Sequence, residues 1–428
     1  MSHDTSDTKH LLNCLACGSN KLKNILDLGE QPLANSYVKN INDPESKYPL
    51  ALNVCEECFH CQLSHAVNPD LMFKHYLYVS GTSQTLKDYF KWFAQFAYNV
   101  CYQRNTLYKP KTFLDIACND GTQLDVVREI YPTQLMTFGI DPARNLFEKT
   151  SKNHVVICDY LNENSVKALL GEAKSYGEGP FDIINAQNVF AHNDNPMKFL
   201  ECCREMMHGD SFLFIQNSQT YMIENGEFDT MYHEHISFWN MSSMSMVAAM
   251  AGLRVVDRIR VPVHGVSDLF ILQKKNIFEP FGYFRADNAL AMENLDGMHN
   301  LSKYVAFGYK ADEVITEFAA ALEMMRQKHP NFLFVGFGAA AKGNTFLNAG
   351  NFKLDYVIDE NPLKQGLYTP GTHIPIVGPE LLQTNNNLVV IPLAWNFKEE
   401  IFKKIKAARP NRIDHYITYF PKVNTGII

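Results

Sequence analysis

Four consecutive residues in the middle of the chain, Tyr232-His233-Glu234-His235, carry the side chains best suited to moving protons. An imidazole titrates near neutral pH, and a neighbouring carboxylate can orient it, so the group reads as acid/base machinery. Zinc is the competing reading. However, the histidines of His-Glu-His stand two apart, whereas the helical zinc motif spaces them four apart to share one face. The group lies between a predicted strand, 212–216 (FLFIQ), and a predicted amphipathic helix, 241–253. A loop that leaves the edge of a nucleotide-binding sheet is where a substrate lies.

Other parts of the chain must position that loop. Its 428 residues suffice for two or three domains of ordinary globular composition. A formal charge of −7 argues against a nucleic-acid partner. No apolar run reaches membrane-spanning length, and MSHDTSDTKH lacks the apolar core of a signal peptide, so no membrane partner and a cytoplasmic location are expected. Five of the ten cysteines precede residue 62, a clustering that fits a metal site in a reducing compartment.

Those cysteines form two Cys-x-x-Cys knuckles, Cys14/Cys17 and Cys55/Cys58, which predict a structural zinc ion in a domain over residues 1–72. Cys61 gives a second, overlapping register with Cys58, and His60 and His65 are weaker ligand candidates. Between the knuckles, LDLGEQPLANSY shows turn residues and apolar anchors but no periodic helix.

Residues 73–284 alternate buried strands with helices, starting from one amphipathic helix that ends near residue 103. Strands are expected at 112–117, 137–141, 154–159, 181–192 and 212–216, with a helix over 197–209. Two further strands joined by VPVHGV close the unit, which predicts a parallel sheet with an antiparallel edge. Asp115, Asp141 and Asp159 each end a strand, where such sheets bind ligands. Asn119 and Gly121 shape the first loop, and Asn185 and Gln187, in the fourth strand, are further candidates for the cofactor site. The loop lacks a G-x-G-x-x-G phosphate cradle, which suits S-adenosylmethionine, a cofactor without phosphate. Any one of these acids also reads as an ordinary helix cap.

Residues 285–428 begin with one or two long helices and continue as a second, smaller α/β unit. Its strand-to-helix turn holds Gly336, Gly338, Lys342, Gly343 and Asn344, and Asp359 ends the next strand. The turn reads either as a pyrophosphate site for a nucleotide-linked substrate or as a tight corner.

Taken together, Cys14/Cys17 with Cys55/Cys58, LGEQPLANSY, HYLYVSGTS, LDIACNDGTQL, NVFAHNDN, FDTMYHEHISFW, GAAAKGNTFLN and IDENPLKQGLYTPGTHIPI resemble the three-part sugar C-methyltransferases that act on nucleotide-linked 4-keto-deoxysugars. The resemblance runs along nearly the whole chain. It implies an α/β architecture with a small zinc-binding domain, a central class I Rossmann-like methyltransferase domain and a C-terminal Rossmann-like domain that helps hold the sugar nucleotide. It also implies catalytic roles for Tyr232, Glu234, His235, His192 and Tyr78, with Tyr76 as the alternative register for the last. His235 is then the base that removes a proton beside the ketone, and Glu234 orients it. Two departures stand out. Ala117 and Cys118 replace the family's glycine and serine, and 264–268 (HGVSD) replaces an HGGSLR-like segment. Rival readings are O- or N-methylation of a sugar or small metabolite, an NAD-linked oxidoreductase, and a non-catalytic zinc-ribbon module. A monomer or weak homo-oligomer is expected.

Overall fold

The structure is a computed structural model that describes residues 7–74, 80–82, 84–104, 106–107, 109–217, 222–263, 266–275 and 284–428. Its first elements surround the cysteine knuckles. Strand β1 (Thr8–His10) pairs antiparallel with β5 (His65–Val67), while β2 (Leu22–Pro32), β3 (Lys47–Cys55) and β4 (Cys61–Leu63) form an antiparallel meander. The stretch read as turns and anchors thus includes a long strand. The meander gains a fourth strand from far along the chain: β11 (Ser237–Phe238), directly after the Tyr-His-Glu-His group, pairs with β4.

Helices α1 (Pro69–Phe73) and α2 (Gln84–Arg104) lead into the central sheet. Its parallel strands are β6 (Thr112–Ile116), β7 (Met136–Ile140), β8 (Val155–Ile157), β9 (Phe181–Gln187) and β10 (Met207–Asn217). The hairpin β12 (Leu253–Val261) and β13 (Ser267–Lys274) adds the antiparallel edge, giving the order β12-β13-β10-β9-β6-β7-β8. The connecting helices are α3 (Thr122–Ile130), α4 (Arg144–Thr150), α5 (Glu163–Ser175), α6 (Pro196–Glu205), α7 (Met222–Asn225) and α8 (Met241–Met250). The helix expected to reach residue 209 stops at Glu205, because Met207 pairs with Phe181 and begins β10. The chain turns from one side of β6 to the other between β8 and β9, so β6 and β9 flank the crevice in which such sheets bind ligands.

Beyond it, α9 (Phe284–Leu295) and α10 (Leu301–Lys328) precede a second sheet of order β16-β15-β14-β17-β18-β19. Its strands are β14 (Leu333–Phe337), β15 (Tyr356–Ile358), β16 (Ile376–Val377), β17 (Leu388–Pro392), β18 (His415–Thr418) and β19 (Asn424–Ile427), with α11 (Ala341–Ala349) and α12 (Lys398–Ala408) between them. All pairs are parallel except β18–β19, a final strand that the sequence reading did not include.

The zinc-side sheet shares its cores with its neighbours. Leu26, Leu50, Leu52 and Val54 pack with Phe307, Phe318 and Phe346, while Cys14, Cys55 and Cys58 border the core that holds Phe190, Trp239 and Met244. Helix α10 crosses β2 so closely that a Cβ at Gly308 would lie 1.8 Å from the Ile25 carbonyl oxygen, so only glycine fits there. Among the described residues no helix is long and apolar enough to cross a membrane.

Candidate active site and zinc centre

The four knuckle cysteines converge. Cys14 and Cys58 Sγ lie 3.5 Å apart, Cys17 and Cys55 Sγ 3.6 Å, and all four sulfurs lie within 4.8 Å of one another. A tetrahedral zinc with bonds of about 2.3 Å needs sulfur separations of roughly 3.8 Å, so the set fits the ion. The hydrogen bond between Cys14 and Cys58 lowers the Cys14 thiol to about 4 and raises Cys58. Burial lifts Cys17 to about 11. Without a cation the cluster therefore keeps protons that a divalent ion would displace. The overlapping register fails: Cys61 is a buried thiol on β4, raised by desolvation. His60 points its Nε2 to Ser237 Oγ at 3.3 Å, and His65 Nδ1 is 2.9 Å from Ser64 Oγ, so neither belongs to the cluster.

At the carboxyl ends of the central strands, the loop 117–121 winds through three left-handed residues, Ala117 (φ 62°), Asn119 (φ 50°) and Gly121 (φ 79°). Ala117 takes the conformation that glycine would adopt, and Cys118 is accommodated because Gly139, facing it, has no Cβ to meet its sulfur. Four of the five loop amides are engaged: Ala117 and Cys118 donate to the Ile140 carbonyl, Asn119 to Asp141 Oδ2 (2.8 Å), and Gly121 to the Cys118 carbonyl. Asp141 also accepts from Ala143 N at 2.8 Å, which leaves each carboxylate oxygen a lone pair for a ribose hydroxyl. Asn119 Oδ1 accepts from Ser80 N at 3.1 Å.

Deeper in the sheet, Gln187 donates to Asn185 (3.0 Å) and Asn185 to Asp115 Oδ1 (2.7 Å), and burial raises the Asp115 carboxyl to about 7. Asp159 is exposed and accepts from Tyr160 N and from Nδ2 of Asn162, the N-cap of α5. The loop, Asp141 and the open strand ends fit S-adenosylmethionine; Asp115 acts there as a buried member of the relay.

The Tyr232-His233-Glu234-His235 group lies between the two larger units. A short 3-10 turn, Phe228–Thr230, presents the Thr230 carbonyl 2.9 Å from His235 Nδ1, while the Tyr232 hydroxyl lies 2.9 Å from His235 Nε2. A carbonyl only accepts, so the neutral ring carries its proton on Nδ1 and Nε2 is the basic nitrogen, with Tyr232 donating to it. The sequence reading gave the orienting role to Glu234. In the structure the Thr230 carbonyl contacts Nδ1 of His235, and Glu234 Oε1 accepts from Asn35 Nδ2 at 2.6 Å. His192, in the turn that follows β9, stacks on Phe73 (centroids 5.5 Å) and lies 5.2 Å from the His235 ring. Burial lowers His192 to about 4, so it is a neutral imidazole at physiological pH. His233 faces away, with Nε2 3.1 Å from the Tyr48 carbonyl, and serves to fix the loop. Tyr76 and Tyr78 lie outside the described residues.

At the glycine-rich corner, each glycine is required by packing. A Cβ on Gly336 or Gly343 would stand 2.6 Å from Leu393, and one on Gly338 would stand 2.7 Å from Ala394. Gly338 N donates to Ile358 O, Ala339 N to Asp359 Oδ2 at 2.7 Å, and Ala340 N to Gly338 O. The tight-corner reading thus accounts for the glycines. Helix α11 starts without a side-chain cap, so its first-turn amides at 341–343 face outward from the corner. Lys342 lies over the Trp395 ring (4.5 Å) and 3.6 Å from Glu227 Oε2. Asn344 donates to the Ala34 carbonyl at 2.8 Å, binding α11 to the LGEQPLANSY segment. Sequence reasoning missed Thr230 and Asn35. The first acts through its backbone and leaves no trace in residue type, while the second lay in a noted motif without an assigned partner.

Comparison with known proteins agrees with this layout. Family models described as "Putative zinc binding domain", "Methyltransferase domain" and "C-methyltransferase C-terminal domain" match residues 14–73, 89–258 and 263–421. The chain is 27% identical over 409 residues to C-methyltransferase NovU from Streptomyces niveus, covering 92% of each chain. Among solved structures it is similar to the plantazolicin methyltransferase BpumL in complex with SAH (TM-score 0.34, 17% identity, 44% of this chain and 86% of that one). It is also similar to an S-adenosylmethionine-dependent methyltransferase from Clostridium acetobutylicum ATCC 824 (TM-score 0.34, 12% identity, 44% and 92%).

Proposed function

Because the chain belongs to the zinc-containing, S-adenosylmethionine-dependent C-methyltransferases, we propose that it methylates the carbon next to the ketone of a nucleotide-linked keto-sugar, after His235 removes that carbon's proton. The observation that carries this reading is the placement of the His235 ring between the Thr230 carbonyl and the Tyr232 hydroxyl, which favours one tautomer. With Nδ1–H committed to Thr230 at 2.9 Å, its Nε2 lone pair faces Tyr232 and the region of His192, beside the crevice between β6 and β9.

A ketone acidifies the neighbouring C–H, but the enolate is costly in water and its proton must go to a base already aimed at it. A positioned imidazole contributes about 10²–10⁴ in rate. Once His235 takes the proton it becomes an imidazolium, and the Thr230 carbonyl stabilises the positive ring. Tyr232 is then free to turn its hydroxyl to the enolate oxygen, and neutral His192 adds a second donor, as does Tyr78 by the family resemblance. Asp141, Asn119 and Gly121 would hold S-adenosylmethionine at the strand ends, and the bound cofactor would supply a methyl group on a cationic sulfur. Cys14, Cys17, Cys55 and Cys58 would hold zinc as a closed thiolate set, with no position open to substrate.

For the nucleotide diphosphate, the uncapped first turn of α11 and Lys342 offer amide donors and a cation, with Gly336, Gly338, Gly343, Asn344 and Asp359 shaping the corner. The division of labour follows the family: residues 1–72 for zinc, 73–284 for the methyl donor, 285–428 for the sugar nucleotide.

Solvent exchange of the α-hydrogen tests the reading. With a nucleotide-linked 4-keto-deoxysugar in deuterated water, the native enzyme should exchange that hydrogen before transfer, and His235→Asn should not. Exchange at the native rate in the variant removes His235 as the base. Methyl transfer without any exchange points to an oxygen or nitrogen acceptor instead.

A further inference from the structure

The 3-10 turn that presents Thr230 to His235 is gripped from the C-terminal unit by one buried carboxylate. Asp229 is 1% exposed. Its Oδ2 accepts from Trp395 Nε1 at 2.8 Å and from the Tyr419 hydroxyl at 2.9 Å. Tyr419 is itself immobilised, stacked on Phe346 of α11 with centroids 3.7 Å apart and planes 7° from parallel. Trp395 is covered by Phe420 (4.0 Å) on one side, and Lys342 approaches its ring. The residue after Asp229 supplies the carbonyl on His235 Nδ1, and Thr230 Oγ1 closes the turn on the Glu227 carbonyl at 2.8 Å.

Burial raises the Asp229 carboxyl above the usual carboxylate range, and Lys342, Trp395 and Tyr419 oppose that rise only in part. A buried carboxylate is costly unless it is hydrogen-bonded, and the two donors that offset this cost both come from the C-terminal unit. They anchor a turn of three residues whose last carbonyl touches Nδ1 of His235.

We propose that Asp229 is a positioning residue: held by Trp395 and Tyr419, it fixes the Thr230 carbonyl and thereby selects the tautomer of His235 in which Nε2 is basic. The C-terminal unit is thus part of the proton-transfer machinery as well as a place for the sugar nucleotide. The inference rests on the reading of His235 as the base.

The test uses the full, zinc-loaded chain and the variants Asp229→Ala, Asp229→Asn, Trp395→Phe and Tyr419→Phe. The first readout needs no substrate: ring-nitrogen NMR of histidine-labelled protein, with His235 assigned by its absence in His235→Asn. The native ring should show the proton on Nδ1, and Asp229→Ala should show a mixture of tautomers. The second readout is turnover. A misplacement of the order of 1 Å costs about 100-fold, so kcat in Asp229→Ala should fall 10- to 100-fold with KM changed less than threefold. Asp229→Asn, whose amide oxygen can accept from both donors, should recover kcat to within threefold. Trp395→Phe and Tyr419→Phe each remove one donor and should shift the tautomer partway, which decides the matter if Asp229→Ala does not fold. An unchanged Nδ1–H signal in folded Asp229→Ala, or in both Trp395→Phe and Tyr419→Phe should Asp229→Ala not fold, overturns the proposal. A rise in KM at constant kcat also overturns it, and assigns the contact to substrate binding. If no keto-sugar is turned over by the native enzyme, the functional reading fails while the tautomer measurement still judges Asp229.

Discussion

Removing zinc should disable proton transfer before it dismantles the methyl-donor site. The knuckle Cys55/Cys58 leads directly into β4, and β4 carries β11, which begins two residues after His235. Five hydrogen bonds tie the catalytic loop and the residues after it to this sheet and the segment beyond it. Leu63 N donates to Ile236 O (2.8 Å), His60 meets Ser237 (3.3 Å), His233 meets the Tyr48 carbonyl (3.1 Å), Asn35 donates to Glu234 (2.6 Å), and Asn240 donates to the Phe59 carbonyl (3.2 Å). At about 1 kcal/mol net each, they hold the loop by roughly 5 kcal/mol, comparable to the whole stability of a small domain. The paired substitution Cys55→Ser with Cys58→Ser abolishes two of four ligands, and with them a binding energy that small zinc modules need to fold. Elemental analysis should find the variant free of zinc. Exchange of the substrate's α-hydrogen should fall at least 100-fold, while affinity for S-adenosylhomocysteine, measured by calorimetry, should stay within about threefold because none of these bonds reaches Asn119 or Asp141. A zinc-free protein that exchanges hydrogen at the native rate would refute the coupling of ribbon to loop.

Other outcomes follow from single contacts. His235→Asn should lower turnover by about 10²–10⁴ and abolish exchange, without a comparable change in donor affinity. Gly121→Ala puts a methyl 2.7 Å from Thr150 Cγ2 at a φ of 79°, and should cost about 1–3 kcal/mol in thermal unfolding and weaken donor binding. Lys342→Met should raise KM for the sugar nucleotide about tenfold, the loss of one charge-assisted contact, with kcat little changed. His233 is buried and lowered to about 4, so between pH 6.5 and about 4 the unfolded chain binds the extra proton. Stability is therefore complete above pH 6.5 and falls as pH drops, by up to about 1.4 kcal/mol per unit. Melting curves of His233→Gln should show a shallower acid slope than the native protein.

The parallel strands were legible because each is a short buried apolar run closed by an acid or amide, and the zinc ligands because their spacing is chemical. The zinc-side sheet was not. LDLGEQP carries charges and a glycine on the outward side of β2, and the alternation is broken by shifts in its register with β3. Nor could β11 be read, since its two residues are a strand only because β4 lies beside them. The helix over 197–209 overran because Met206 and Met207 continue its apolar spacing, and pairing of Met207 with Phe181 outweighs that local preference. The three corner glycines resembled a phosphate loop because their reason, contact with Leu393 and Ala394, lies some fifty residues further on. Thr230 was invisible for a simpler cause: any residue has a carbonyl, and only the fold says where it points.

The catalytic loop owes its shape to all three parts of the chain, and carbon methylation gives a reason for that. An oxygen or nitrogen acceptor arrives with a lone pair, so a methyltransferase acting on it needs chiefly to align that pair with the donor. A carbon acceptor has no lone pair until a proton has left, and the carbanion must be made beside the donor and used before water returns the proton. The base must therefore be correct in tautomer as well as in place. In this chain the zinc sheet holds the loop through Ser237, His233 and Glu234, the C-terminal unit holds it through Asp229, and His192 reaches it from the end of β9. On the proposed mechanism, freeing any one hold should leave the donor pocket standing but let the imidazole turn, and an imidazole that can turn presents an N–H where the reaction requires a lone pair.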